Sequence, residues 1–202
     1  MGTSTGSWNP KRIFGSVGLG LLVVGFAYYA WSSDVANVSR LKSGKRIEIR
    51  ATSGKVNIVG TQDNDVRVTI ENVSAETARM ARIKIDRNRN PILIEIENLP
   101  QFATASVEVP RTASVAVSML AGELEIVDVD GDKLCLLRSG KMSIDAGDPE
   151  AYKSVRAFVL AGDIHAPAFD RNTGGVGRMI TWKGPGQAVI DAHVSAGSLV
   201  LQ

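Results

Sequence analysis

The stretch Val115–Asp145, VAVSMLAGELEIVDVDGDKLCLLRSGKMSID, decides the fold. It contains one unit twice: Ala121-Gly122-Glu123-Leu124-Glu125-Ile126 and Ser139-Gly140-Lys141-Met142-Ser143-Ile144. Each copy follows an alternating run, VAVSM or KLCLL. Alternation puts apolar side chains on one face of a strand and polar ones on the other. Outward from this stretch the unit recurs as Ser53-Gly54-Lys55-Val56-Asn57-Ile58, as Ala161-Gly162-Asp163-Ile164-His165-Ala166 and as Ala196-Gly197-Ser198-Leu199-Val200-Leu201. Gly122, Gly140, Gly162 and Gly197 are 18, 22 and 35 residues apart. The last gap equals about two units, with Gly184-Pro185-Gly186 near the missing midpoint. A repeat of about 20 residues points to stacked layers. The small-Gly pair fits a corner where a strand turns sharply and the next layer passes close by, because glycine takes positive φ without steric cost.

The same alternation runs through Ile47 and Ile49, through Val66, Val68 and Ile70, and through Ile92, Ile94 and Ile96. Arg87–Asn90 before Pro91 reads as a hairpin-type connection, and Ser74–Met80 as one helical turn or an irregular loop. The predicted class is all-β: a solenoid-like stack of β-rungs over residues 46–202, with an antiparallel β-sandwich as the alternative. Gly54, Gly122, Gly140, Gly162 and Gly197 are the structural repeat glycines. An open stack exposes unpaired edges. The membrane-proximal strands and Leu199-Val200-Leu201 are the expected ones.

Ile13–Trp31, IFGSVGLGLLVVGFAYYAW, carries no charge over 19 residues. A helix of that length spans about 28 Å, close to a bilayer's hydrocarbon core. Tyr28, Tyr29 and Trp31 cluster at one end, as interfacial aromatics do. The expected layout is a short cytoplasmic tail (1–12), a transmembrane helix (13–31), a linker (32–45) and the β domain (46–202). The alternative is a signal peptide cut after Ser32. Lys11 and Arg12 favour an N-terminus in the cytoplasm, but Arg40, Lys42, Lys45 and Arg46 beyond the helix leave the charge count undecided. The short tail before a long domain is the layout of a signal anchor and puts the expected β domain outside the cytoplasm, in the periplasm or at the cell surface.

Val107-Glu-Val-Pro110, followed by Val115–Asp145, resembles the bacterial putative-adhesin domain of unknown function, related to the toast-rack domains. The likeness extends more loosely to Ser43–Asn98 and to Ala196–Gln202. It implies alternating strands, a Pro-containing turn and repeated Ser-Gly units, and it brings no catalytic residues. The sequence departs from that pattern over Pro167–Gly186, which reads as a long glycine-rich loop.

Other signals are weak. Lys+Arg (23) nearly balance Asp+Glu (21), which argues against nucleic acid as a partner. The single cysteine, Cys135, sits among leucines and reads as core. His165 and His193, with Asp163 and Asp191, are too few for a metal site, so no metal or cofactor is expected. Asp128-Val-Asp130-Gly131-Asp132 lacks the EF-hand glycine and terminal acid and reads as an Asp-Gly turn. Gly174, Gly175 and Gly177 carry no phosphate-loop context, and Ser195 beside His193 lacks an orienting group. Arg178, Trp182 and Lys183, with Met179, form the candidate interaction patch. The expected function is a non-catalytic, membrane-anchored envelope module that binds a protein, a surface polymer or itself. An envelope-stress sensing or regulatory subunit is the first alternative and a β-helix carbohydrate-active enzyme the second.

Overall fold

The computed structural model describes residues 46–202, Gln101 excepted. The predicted tail, transmembrane helix and linker lie outside the described residues. Among the latter no helix is long and apolar enough to cross a membrane.

The described residues form one mixed, ten-stranded sheet. In chain order the elements are β1 (Arg46–Thr61), β2 (Arg67–Glu71), the one-turn helix α1 (Ala75–Ala78), β3 (Arg82–Asp86), β4 (Ile92–Glu97) and β5 (Thr104–Pro110). Then follow β6 (Ser114–Val127), β7 (Lys133–Ile144), β8 (Tyr152–Ala166), β9 (Arg171–Lys183) and β10 (Ala188–Leu201). The spatial order is β2-β5-β1-β6-β7-β10-β8-β9, with β4 beside β1 and β3 beside β4. The neighbours from β1 through β8 are parallel, which excludes the all-antiparallel sandwich.

Parallel neighbours normally need a crossover of a dozen or more residues. Here β6 and β7 are joined by five, Asp128–Asp132. A straight 14-residue strand would run about 46 Å, and such a link reaches roughly 20 Å. The strand therefore folds back on itself, and it does so at Gly122, whose φ is +123°. Gly54, Gly140, Gly162 and Gly197 share that left-handed backbone. All five align in register, in the order Gly54, Gly122, Gly140, Gly197, Gly162. A Cβ on Gly140 would overlap the Gly122 carbonyl oxygen, and one on Gly197 would overlap that of Gly140.

Each long strand thus has an arm before its glycine and an arm after it, and the inward residues of both are buried. In β6 these are Val115, Val117 and Met119, then Leu124 and Ile126; in β10 they are Ile190, Ala192 and Val194, then Leu199 and Leu201. Cys135 is in this core, where burial pushes its thiol pKa up to about 12. Lys133 is the exception among the apolar inward residues. It is 1% exposed, and its Nζ donates to Tyr152 Oη at 2.9 Å and lies 4.9 Å from the centre of that ring.

Three expectations about the last third are corrected. Residues Pro167–Gly186 are not a long loop: a 3₁₀ turn (Pro167–Phe169) leads into β9, antiparallel to β8. No further small-Gly unit stands near Gly184–Gly186; Gly162 has Gly197 of β10 on its inner side and Gly175 of β9 on its outer side. Leu199-Val200-Leu201 is no exposed edge, because β10 inserts between β7 and β8 and leaves Leu199 and Leu201 fully buried. The physical reason is the hairpin. Once β9 runs back along the outside of β8, the next parallel strand fits only on the inner side of β8.

Candidate interaction surface

β9 ends the sheet, and among the described residues nothing pairs with its outer side. Its sequence, RNTGGVGRMITWK, explains its edge role. Gly174, Gly175 and Gly177 leave Val176 as the one side chain over its bend. Val176 is 78% exposed and Met179 58%. Unpaired N–H and C=O groups along such an edge are ready to accept another strand.

The alternation of β9 separates the candidate patch. Arg178, Ile180 and Trp182 lie opposite Val159, Ala157 and Val155, which are all buried, so they take the inward phase. Met179, Thr181 and Lys183 take the outward phase, opposite Phe158, Arg156 and Ser154. Trp182 is half-buried and packs on Phe169 with ring centres 5.4 Å apart, closing the end of the core. Arg178 bends back along its own strand, where its Nε donates to Gly174 O at 2.8 Å. Lys183 points the other way. Arg178, Trp182 and Lys183 therefore share a strand but not a face.

The outer face of the first arm continues from this edge. One row across neighbouring strands holds Leu136, His193, Phe158 and Met179. The adjacent row holds Leu134, Asp191, Arg156 and Thr181. Arg156 grips Asp191 through two bonds, Nε to Oδ1 at 2.9 Å and Nη2 to Oδ2 at 2.5 Å. His193 Nε2 lies 3.0 Å from Asp191 Oδ1, and its ring is 5.6 Å from Phe158. Burial alone would raise the Asp191 carboxyl pKa. The His193 and Arg156 contacts outweigh that and hold it below the usual carboxylate value. Ser195 follows two residues on with the same phase. The second arm's outer face is polar instead, with Lys55 and Glu123 paired at 3.6 Å. Phe158 and Leu160 were readable as anomalies, since each is apolar on the outward phase of its strand.

The other sequence candidates are placed as follows. His165 and His193 fall on opposite sides of the glycine line. Among the described residues no three His, Cys, Asp or Glu side chains gather as a metal would require. In the Asp128–Asp132 turn, Arg111 contacts Asp130 at 2.9 Å and Asp128 at 3.5 Å, while Asp132 Oδ1 accepts from Val189 N–H at 2.9 Å. A cleft of about 460 Å³ lies elsewhere, between Gly54, Leu99, Phe102 and Gly122.

This arrangement defines an all-β domain with one glycine-built bend, one cationic free edge and one half-apolar outer face. No protein-family model matches the chain, and no curated protein matches it either. Among solved structures it is similar to that of a putative cell adhesion protein from Clostridium sporogenes ATCC 15579. The two are 13% identical, with 77% of this chain and 91% of that one covered, at a TM-score of 0.46.

Proposed function

We propose that this chain is a non-catalytic interaction module of the bacterial cell envelope. Its bent strands act as the rungs of a short two-armed solenoid of the toast-rack kind. Ile13–Trp31 anchors it to the membrane and holds the domain outside the cytoplasm. It engages a protein or surface-polymer partner through β9. The observation that carries this reading is the bare edge of β9, with Val176 and Met179 exposed on it. The opposite end of the sheet is different in kind: β2 and β3 are short strands, and Arg67–Glu108 and Lys84–Glu95 ion pairs tie them to the strands they cover. Short, charged edges are how proteins suppress unwanted pairing.

Two results are expected together. After an alkaline carbonate wash the full chain stays in the membrane pellet. The wild-type chain also brings down an envelope partner that V176K/M179K, with unchanged circular dichroism, does not. Release of the intact chain by carbonate refutes the anchor; the same partner on both chains refutes the edge.

A further inference from the structure

We infer that the occupant of the β9 edge is an acidic extended strand from another protein. This rests on the reading of β9 as the docking edge and adds the chemistry of its partner. β9 carries Arg171, Arg178 and Lys183 and no acidic residue. The excess is greatest on the arm from Gly177 to Lys183, where exposed Lys153 at the start of β8 adds a further positive charge. Asp163 faces Gly174 on the other arm and Asp170 precedes the strand. Glu150, in the 3₁₀ turn three residues before Lys153, is the one acid near the Lys183 end and leaves the cations of that arm in excess. Arg156, opposite Thr181, is neutralised by Asp191.

A second copy of this chain fits the edge poorly. Antiparallel pairing of β9 with its own copy sets cations against cations or uncharged residues in every register, and like charges across a strand pair are destabilising. Stacking the Gly177–Lys183 arm on the opposite end of another copy brings it to β3, a five-residue strand that offers the single acid Asp86, with Arg82 beside it and Lys84 already tied to Glu95. A strand alternating acidic and apolar residues meets both demands. With its acids on the outward face the strand answers Lys183, beside which Lys153 adds charge, and its apolar side chains extend the cover over Ile180; Arg178, on the inward phase, adds only to the general positive potential of the edge. Main-chain hydrogen bonds supply the affinity and the side-chain pattern supplies the specificity.

The test uses the full chain in neutral detergent and two fluorescent peptides of about nine residues, a common strand length, alternating Val with Glu or Val with Lys. Fluorescence anisotropy is expected to show the acidic peptide binding at least about tenfold tighter, weakening with salt. K153E/K183E, with unchanged circular dichroism, is expected to lose about tenfold for the acidic peptide and to gain for the basic one. N-methylating alternate amides of the acidic peptide is expected to abolish binding. Equal binding of both peptides overturns the acidic preference and leaves the edge reading standing. Undiminished binding of the N-methylated peptide overturns strand addition, leaving only charge attraction. Binding of neither peptide removes the edge reading as well.

Discussion

Gly140→Ala is expected to lose the cooperative fold. Gly140 lies in β7, with Gly122 of β6 on one side and Gly197 of β10 on the other. Its φ is +132°, a region that L side chains rarely adopt, and its new methyl would overlap the Gly122 carbonyl oxygen and stand 2.8 Å from that carbonyl carbon. Relief requires β6 and β7 to move apart, which weakens their backbone pairing on both arms. Backbone strain of about 1–3 kcal/mol, added to disruption of the packed interior, gives a loss above about 4 kcal/mol. That is a large part of a domain's total stability. Gly177→Ala is the matched control. Its φ is +64° and no heavy atom lies within 4 Å of the added carbon. It should cost about 1 kcal/mol, the price of a left-handed alanine. Urea unfolding of both variants checks the difference; equal midpoints would mean that the glycine line is not a close contact.

The second large effect comes from Lys133. Burial lowers the pKa of its ammonium from 10.5 to about 8, although the carboxylates of Asp130, Asp145 and Asp132 pull the other way. Between those two values the unfolded chain holds a proton that the folded chain has released, so Lys133 makes stability rise with pH there. Below pH 8 the folded protein carries a buried ammonium at a cost of about 3 kcal/mol. Lys133→Met removes that cost and also removes the bond to Tyr152, worth about 1 kcal/mol. The variant is therefore expected to be more stable than wild type by about 2 kcal/mol at pH 7. That advantage should disappear as pH climbs to 10.5. The comparison must be made against the variant at each pH. Cys135 and Tyr152, both raised to about 12 mainly by burial, make stability fall above pH 9 to 10 in either chain. Denaturant midpoints for the two chains at pH 7 and pH 10 measure the effect; an unchanged gap would show that Lys133 does not titrate in this window.

Much of the strand content was legible because side chains alternate wherever a strand has one buried face. Ile47 and Ile49, or Met142 and Ile144, give that signal plainly. The small-Gly pairs marked the bends because only glycine fits where Gly122 passes under Gly54 and Gly140 under Gly122. Ser74–Met80 contained the helical turn, with Ser74 Oγ accepting from Thr77 N–H at 3.3 Å.

β9 was illegible for the same physical reason. A strand with three glycines and only Ile180 buried has no two-residue rhythm to read. Strand order was hidden too, because alternation says which face is inward but not which neighbour lies alongside. Nothing in AVIDAHVSAGSLVL says that this segment lies between β7 and β8. The candidate patch shows a related limit. Arg178, Trp182 and Lys183 are close in sequence, and reading the segment as a loop concealed that alternation sends Lys183 to the opposite face. The Arg156–Asp191 clasp joins strands 35 residues apart in the chain and leaves no local trace.

Amide hydrogen exchange on the isolated, monomeric chain tests most directly whether β9 is the open edge and β10 an inner strand. The account predicts that Ile190–Leu201 of β10 exchange only through global unfolding, although this strand is the last in the sequence. It predicts that alternate amides from Val176 to Lys183 of β9 exchange orders of magnitude faster. Uniform protection along β9, or rapid exchange throughout β10, would contradict it.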